Sequence, residues 1–168
     1  KPVSHNGYYM RVDVKPAENV PGGKILSDYS FGDNAWKYLE MMTQLCQEKG
    51  IELILIKAPS LYPYWYPEWE EQIEDYADQN QLRYINFLEL TDEIGIDYNR
   101  DTYDAGLHMN LSGAEKLSVY LGQVLREQCG VPDRRDDGEL QAIWEQNIQA
   151  YDADRDAQYI YYGITEEG

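Results

Sequence analysis

The 168 residues predict an α/β fold: part of a doubly wound, three-layer domain on a parallel sheet, incomplete in its N-terminal half. Three observations carry this expectation. Two short runs, Ile51–Ile56 and Leu82–Phe87, are mostly apolar, as strands covered on both faces are. They alternate with segments of helical period, and the order helix–strand–helix–strand–helix predicts parallel strands joined by right-handed crossovers. Two strands cannot cover their own faces and edges, so further strands must come from elsewhere.

Residues 1–30 read as an irregular lead-in broken by Pro2, Pro16, Pro21, Gly22 and Gly23, with one candidate strand at Tyr8–Val14. A helix follows from about Asn34 to Lys49, where Ala35, Leu39, Met42 and Cys46 make one apolar face. Within Gly32-Asp33-Asn34 either polar residue can cap it, and Gly50 stops it. The strand Ile51–Ile56 is ended by Pro59. Pro67 opens a second helix, which runs through Ile73, Tyr76 and Ala77. The strand Leu82–Phe87 then leads into a polar loop that reaches Asn110. Ser112-Gly113-Ala114-Glu115 is a capping box for a third helix, with Leu117, Leu121, Val124 and Gln128 on one face and Gly130-Val131-Pro132 at its end. A fourth helix spans about Gly138 to Tyr151, before an acidic, Tyr-rich tail. The expected organisation is therefore a lead-in at 1–30, the α/β half-domain at 31–131, and a helical extension with tail at 132–168.

Fourteen basic residues against 31 acidic ones give a net charge of −17, which repels phosphate backbones and anionic headgroups. Nucleic acid is thus excluded as a partner, and without an apolar run of about 18 residues so is direct membrane insertion. A start at Lys1 without a signal-peptide pattern reads as a trimmed or processed fragment. Cys46 and Cys129 fit no metal spacing and read as two separate thiols. Sixteen Tyr and four Trp exceed the needs of so small a core, so some of these rings are expected at a binding surface.

The segment richest in chemistry is Asp101-Thr102-Tyr103-Asp104-Ala105-Gly106-Leu107-His108-Met109-Asn110, followed by Gly113 in the third helix. It lies after a strand and before a helix, where open α/β folds place ligands. It resembles the last block of SGNH-type (GDSL-like) hydrolases and acyltransferases, whose fold is flavodoxin-like. There an Asp shortly precedes a His, followed by Asn and then Gly at the start of the final helix. Lys57-Ala58-Pro59-Ser60 and Tyr84-Ile85-Asn86 extend the resemblance, which covers roughly Asn34 to Gly130. It implies that His108 is the general base and that Asp104 orients it, with Asp101 as the reserve acid and Asn110 at the substrate. The family's usual acid position, three residues before the histidine, is Ala105 here. Asp104 is four before, with Gly106 between them to let the loop bulge. The family's Gly-Asp-Ser nucleophile turn is not found in this sequence, and the resemblance places it upstream of Lys1.

What the resemblance implies is an O-acyl esterase or acyltransferase working through an acyl-serine, without metal or organic cofactor, on an acylated surface glycan or similar ester. It also implies an extracytoplasmic place, with a membrane anchor through an upstream segment, and an isolated chain that is inactive. Ser60 at a strand end is a candidate nucleophile for hydrolysis by this chain alone, although Pro59 and the lack of a flanking Gly make a poor elbow. The rival reading is a non-catalytic module that binds carbohydrate or protein through Tyr62, Tyr64, Trp65, Tyr66 and Trp69, expected on the same edge as His108. Asp97-x-Asn99-x-Asp101 and Asp152-x-Asp154-x-Asp156 imitate calcium loops but lack the Gly and terminal Glu, and read as solvated turns. His5, in the lead-in, is assigned no role. The uncovered sheet edge makes a second copy of the chain a candidate partner.

Overall fold

Residues 5–164 are described by the computed structural model, as a small α/β protein with a two-stranded parallel sheet. They divide into two units: Asn19–Thr91, and the described residues within Lys1–Glu18 and Asp92–Gly168.

The first unit holds helix α1 (Asp33–Lys49), strand β1 (Ile54–Lys57), helix α2 (Pro67–Asn80) and strand β2 (Arg83–Asn86). The strands pair in parallel from Ile54 opposite Arg83 to Lys57 opposite Asn86, so the last residues of both lie side by side. Gly50 ends α1 in the left-handed conformation, φ 62°, its N–H reaching back to the helix carbonyls of Cys46 and Gln47. The cap of α1 is Gly32 rather than Asp33 or Asn34. No side chain caps the helix, and Asp33 sits in its first turn, where its charge suits the helix dipole. Pro67 starts α2 as expected.

The inward face of α1 differs from the expected one. Trp36 packs against Tyr76 with ring centroids 5.4 Å apart, and the buried Thr43 hydroxyl accepts from the Tyr76 hydroxyl at 2.9 Å. These aromatic and hydrogen-bonded contacts turn Met42 outward. The helix therefore has a second apolar stripe, Tyr38, Met41, Met42 and Leu45, that is about half exposed. The first strand is also shorter and less covered than its composition predicts. Ile51 lies outside it, and Ile51 and Ile56 are 57% and 55% exposed, so the strand is not shielded on both faces. Among the described residues β1 pairs with β2 alone, which leaves its other edge open.

The second unit contains a 3-10 turn at His5–Gly7, all but the first residue of helix α3 (Thr91–Ile94, a turn inside what reads as plain polar loop), helix α4 (Leu111–Gln128) and helix α5 (Gly138–Tyr162). Tyr8–Val14 is extended but forms no sheet. It buries alternate residues, Met10 and Val12, against Leu111, with Tyr8, Tyr151 and Tyr159 packed around them. Its backbone serves the loop before α4 instead of a neighbouring strand: Leu111 N–H bonds Arg11 C=O at 2.7 Å, Lys15 N–H bonds Thr102 C=O at 2.8 Å, and Ala17 N–H bonds Tyr98 C=O at 3.0 Å.

Helix α5 begins on an Asp137 cap but continues eleven residues past Tyr151 to Tyr162, through most of the expected tail. Long-range contacts support the extension: Tyr151 and Tyr159 pack on the core, and the Gln158 amide donates to Met10 C=O at 3.2 Å. Asp152-x-Asp154-x-Asp156 is therefore helical, not a turn. Arg155 pairs with Asp152 and Asp156, and His5, far from idle, lies 2.9 Å from Asp154. Cys46 and Cys129 are both free thiols. No helix among the described residues is long and apolar enough to cross a membrane.

Candidate active site and aromatic loop

The loop before α4 is closed by an isolated antiparallel bridge between Thr102 and Met109 and by Asn110 N–H to Asp101 C=O at 2.9 Å. Inside it, Ala105 (φ 66°) and Gly106 (φ 100°) are consecutively left-handed, the bulge that a four-residue spacing needs. It brings the Asp104 carboxylate back over its own chain. One oxygen accepts the His108 backbone N–H at 2.7 Å and the other meets His108 Nδ1 at 2.5 Å. Burial pushes the Asp104 carboxyl up, but the hydrogen bonds from the His108 ring and amide outweigh it and hold it below its ordinary value. Tyr103 stacks on the imidazole at 5.8 Å, 9° from parallel, and the Arg11 guanidinium lies 4.7 Å over the Tyr103 ring. An acceptor on Nδ1 places the proton there and leaves the Nε2 lone pair outward. Nε2 has no partner among the described residues, and the His108 side chain is 59% exposed. The arrangement can take a proton from a group presented at Nε2.

Asp101, the reserve acid, does not approach His108. It is 1% exposed and accepts from Lys116 Nζ at 2.6 Å, Asp97 N–H at 2.8 Å and the Ser112 hydroxyl at 2.8 Å. Burial raises its carboxyl, and these three donors together bring it below the ordinary range. Its run with Asp97 and Asn99 closes on backbone amides, Asp97 accepting from Asn99 N–H at 2.9 Å. Among the described residues no group of three or more His, Cys, Asp or Glu is placed to hold a metal ion.

Asn110 is likewise buried rather than turned to a substrate. Its amide donates to Arg100 C=O at 2.7 Å and Asp13 C=O at 3.3 Å, and its oxygen accepts Gly113 N–H as the true cap of α4. The expected capping box is thus replaced: Ser112 turns to Asp101, and Glu115 accepts from the Tyr151 hydroxyl. Gly113 permits this packing, since a Cβ there would stand 2.5 Å from the Asp101 carbonyl oxygen.

The other unit carries Ser60 and the aromatic loop. Ser60 Oγ is 3.3 Å from Lys57 Nζ, which also donates to Ala58 C=O at 2.6 Å and Ser60 C=O at 3.2 Å, and lies 5.4 Å over the Trp65 ring. Burial pushes the Lys57 amine down, with Glu70 opposing. Both histidines belong to the other unit, so within its own unit Ser60 has a lysine beside it and no imidazole.

Tyr64, Trp65, Tyr66 and Trp69 are brought together edge to face. Tyr64–Tyr66, Tyr66–Trp69 and Trp65–Trp69 centroids are 4.9, 4.7 and 5.6 Å apart. The Tyr66 hydroxyl accepts Lys24 N–H and donates to Lys24 C=O, fastening the lead-in beneath the loop. Trp65 Nε1–H and the Tyr84 hydroxyl share one Glu70 oxygen, at 2.5 and 2.9 Å. Burial, reinforced by Glu70, pushes the Tyr84 phenol well up. Tyr64 is 43% exposed, whereas Tyr62, Trp65, Tyr66 and Trp69 are half-buried. Tyr29, Phe31 and Glu70 also belong to this cluster, although the loop motif did not include them. The signal of the two rings in the sequence was an aromatic pair two residues apart at the end of a Pro- and Gly-rich lead-in.

Comparison with family models, curated proteins and solved structures finds no match to the chain.

Proposed function

We propose that the chain works as a carbohydrate-binding module through the aromatic loop 62–69. The observation that carries this reading is the preformed edge-to-face cluster, pinned by Tyr66 to Lys24 and by Trp65 to Glu70, with Tyr64 exposed at its margin. Rings with fixed orientation and polar tips suit the apolar face of a sugar, and little ordering entropy remains to be lost on binding. Binding needs nothing beyond what this unit holds. The test is titration calorimetry against acetylated and deacetylated oligosaccharides. Binding should weaken about tenfold in Tyr64→Ala, a change at a ring that is already exposed. Equal affinity of the variant, or no binding by either protein, would remove the reading.

A second reading rests on the Asp104–His108 pair. The bulged loop, the acceptor on Nδ1 and the open Nε2 support the base half of an SGNH-type O-acyl esterase or acyltransferase in a flavodoxin-like domain, its nucleophile supplied from outside these residues. On that reading the chain alone hydrolyses p-nitrophenyl acetate no faster than its His108→Ala variant. A His108-dependent burst of nitrophenol abolished by Ser60→Ala would give the nucleophile to Ser60 instead.

A further inference from the structure

Lined by residues of neither candidate site, a cavity of about 780 Å³ lies in the second unit between the His5–Gly7 turn, α4 and α5. Its size falls in the ordinary range for small-molecule sites. Trp144, 58% exposed, and Tyr151 give it aromatic surface, and Asn6, Tyr8, Ser118 and Asn147 give it polar edges. We propose that this cavity binds a neutral sugar ring.

Three observations point there. First, the Tyr8 hydroxyl is buried and has no hydrogen-bond partner among the described residues. A buried phenol left unmatched is costly, and a small turn of the side chain toward the cavity would let a ligand hydroxyl satisfy it. Second, among the described residues no carboxylate, lysine or arginine lines the cavity, and its imidazole, His5, is already engaged by Asp154. Two carboxamides, a hydroxyl, two phenols and an indole face suit a neutral polyhydroxylated ligand better than an ion. Third, the wall that supplies Asn6 and Tyr8 is strained. His5 (φ 47°) and Asn6 (φ 53°) are both left-handed without being glycine, and the turn is held by Tyr8 N–H to His5 C=O at 3.0 Å and by the His5–Asp154 contact. Such strain persists where surrounding contacts enforce it, commonly at ligand clamps. Together they make a place where a pyranose can stack on Trp144 while its hydroxyls reach Tyr8 and the two Asn amides.

The test is a ¹⁵N–¹H correlation titration of the full chain with cellotetraose, chitotetraose and maltotetraose, following the Trp144 indole N–H. At least one of the three should shift it saturably. Tyr8→Phe keeps the ring and its packing and removes only the orphan hydroxyl, and should weaken that binding about fivefold. Trp144→Ala, at an exposed position, should weaken it about tenfold or more. The readout itself separates this cavity from the aromatic loop, because Trp144 lines the cavity and is no part of residues 62–69. The proposal is overturned by the absence of a saturable shift with all three sugars. Affinity untouched by Tyr8→Phe and Trp144→Ala would overturn it too, as would a response to choline chloride in place of the sugars.

Discussion

Asp104 grips His108 twice, one carboxylate oxygen on the backbone N–H at 2.7 Å and the other at Nδ1 at 2.5 Å. The first contact fixes where the residue sits and the second fixes which ring nitrogen carries the proton. Neutral His108 should therefore be the Nδ1–H tautomer, readable from its ¹⁵N ring shifts. Asp104→Ala should shift it toward the Nε2–H form. An unchanged tautomer in that variant would detach the carboxylate from the imidazole.

The same grip depends on two left-handed residues in a row, Ala105 and Gly106. An alanine there bears a steric cost that glycine avoids, about 1 kcal/mol. Ala105→Gly should raise stability by up to about that amount, less the greater backbone freedom of glycine when unfolded. Gly106→Ala, at φ 100°, should lower stability by at least about 1 kcal/mol and loosen the Asp104–His108 contact. Urea unfolding of the two variants checks both signs.

Asp101 makes the loop's stability dependent on acid. Its folded pKa lies below the ordinary 3.8 because Lys116, Asp97 N–H and Ser112 outweigh the effect of burial. A depressed carboxyl contributes stability above its unfolded pKa and loses it as pH falls through the folded one. The stability gap between the protein and Asp101→Asn should therefore be widest near neutrality and narrow as pH falls below about 4. Asp101→Ala should cost about 3 kcal/mol at neutral pH, since it strands buried donors. Gly113→Ala should cost about 2 kcal/mol by forcing a Cβ into the Asp101 carbonyl. A pH-independent gap would contradict the burial and pairing of this carboxylate.

The open β1 edge and the outward stripe of Tyr38, Met41, Met42 and Leu45 are apolar surface that a second copy could cover. Sedimentation equilibrium should show self-association at high protein concentration. It should strengthen with added salt, which screens the repulsion of two chains at −17. Leu45→Lys should return the chain to monomer. A monomer at every concentration and salt would rule out a second copy as the cover.

What the sequence made legible was mostly short-range. The Gly50 stop, the Pro67 start, the end of α4 and the Asp104–His108 pairing each depend on residues a few positions apart, where local sterics and hydrogen bonds dominate. Distance in sequence hid the rest. Asn110 and Ser112 are both able caps, and Asn110 takes the role while its amide ties to Arg100 and Asp13 carbonyls that only tertiary packing delivers. Helix α5 outruns its expected end where Tyr159 and Gln158 dock on the segment around Met10. The inward face of α1 turned on one tyrosine of another helix, Tyr76. The division into units is also illegible from local pattern, since one unit draws on both ends of the chain.

That discontinuity has a consequence for the order in which the protein is built. The contacts Asn110–Asp13 and Thr102–Lys15 join residues 97 and 87 positions apart, and the Asn19–Thr91 unit falls between them in the sequence. A ribosome delivers that inner unit whole before Asn110 has emerged. Residues 8–17 are then without these partners until the loop before α4 has been made. Closing so long a loop carries an entropic cost, and an insert already folded leaves fewer free residues in it. The geometry around His108 is thus finished late in synthesis, and it depends on a stretch made near the beginning.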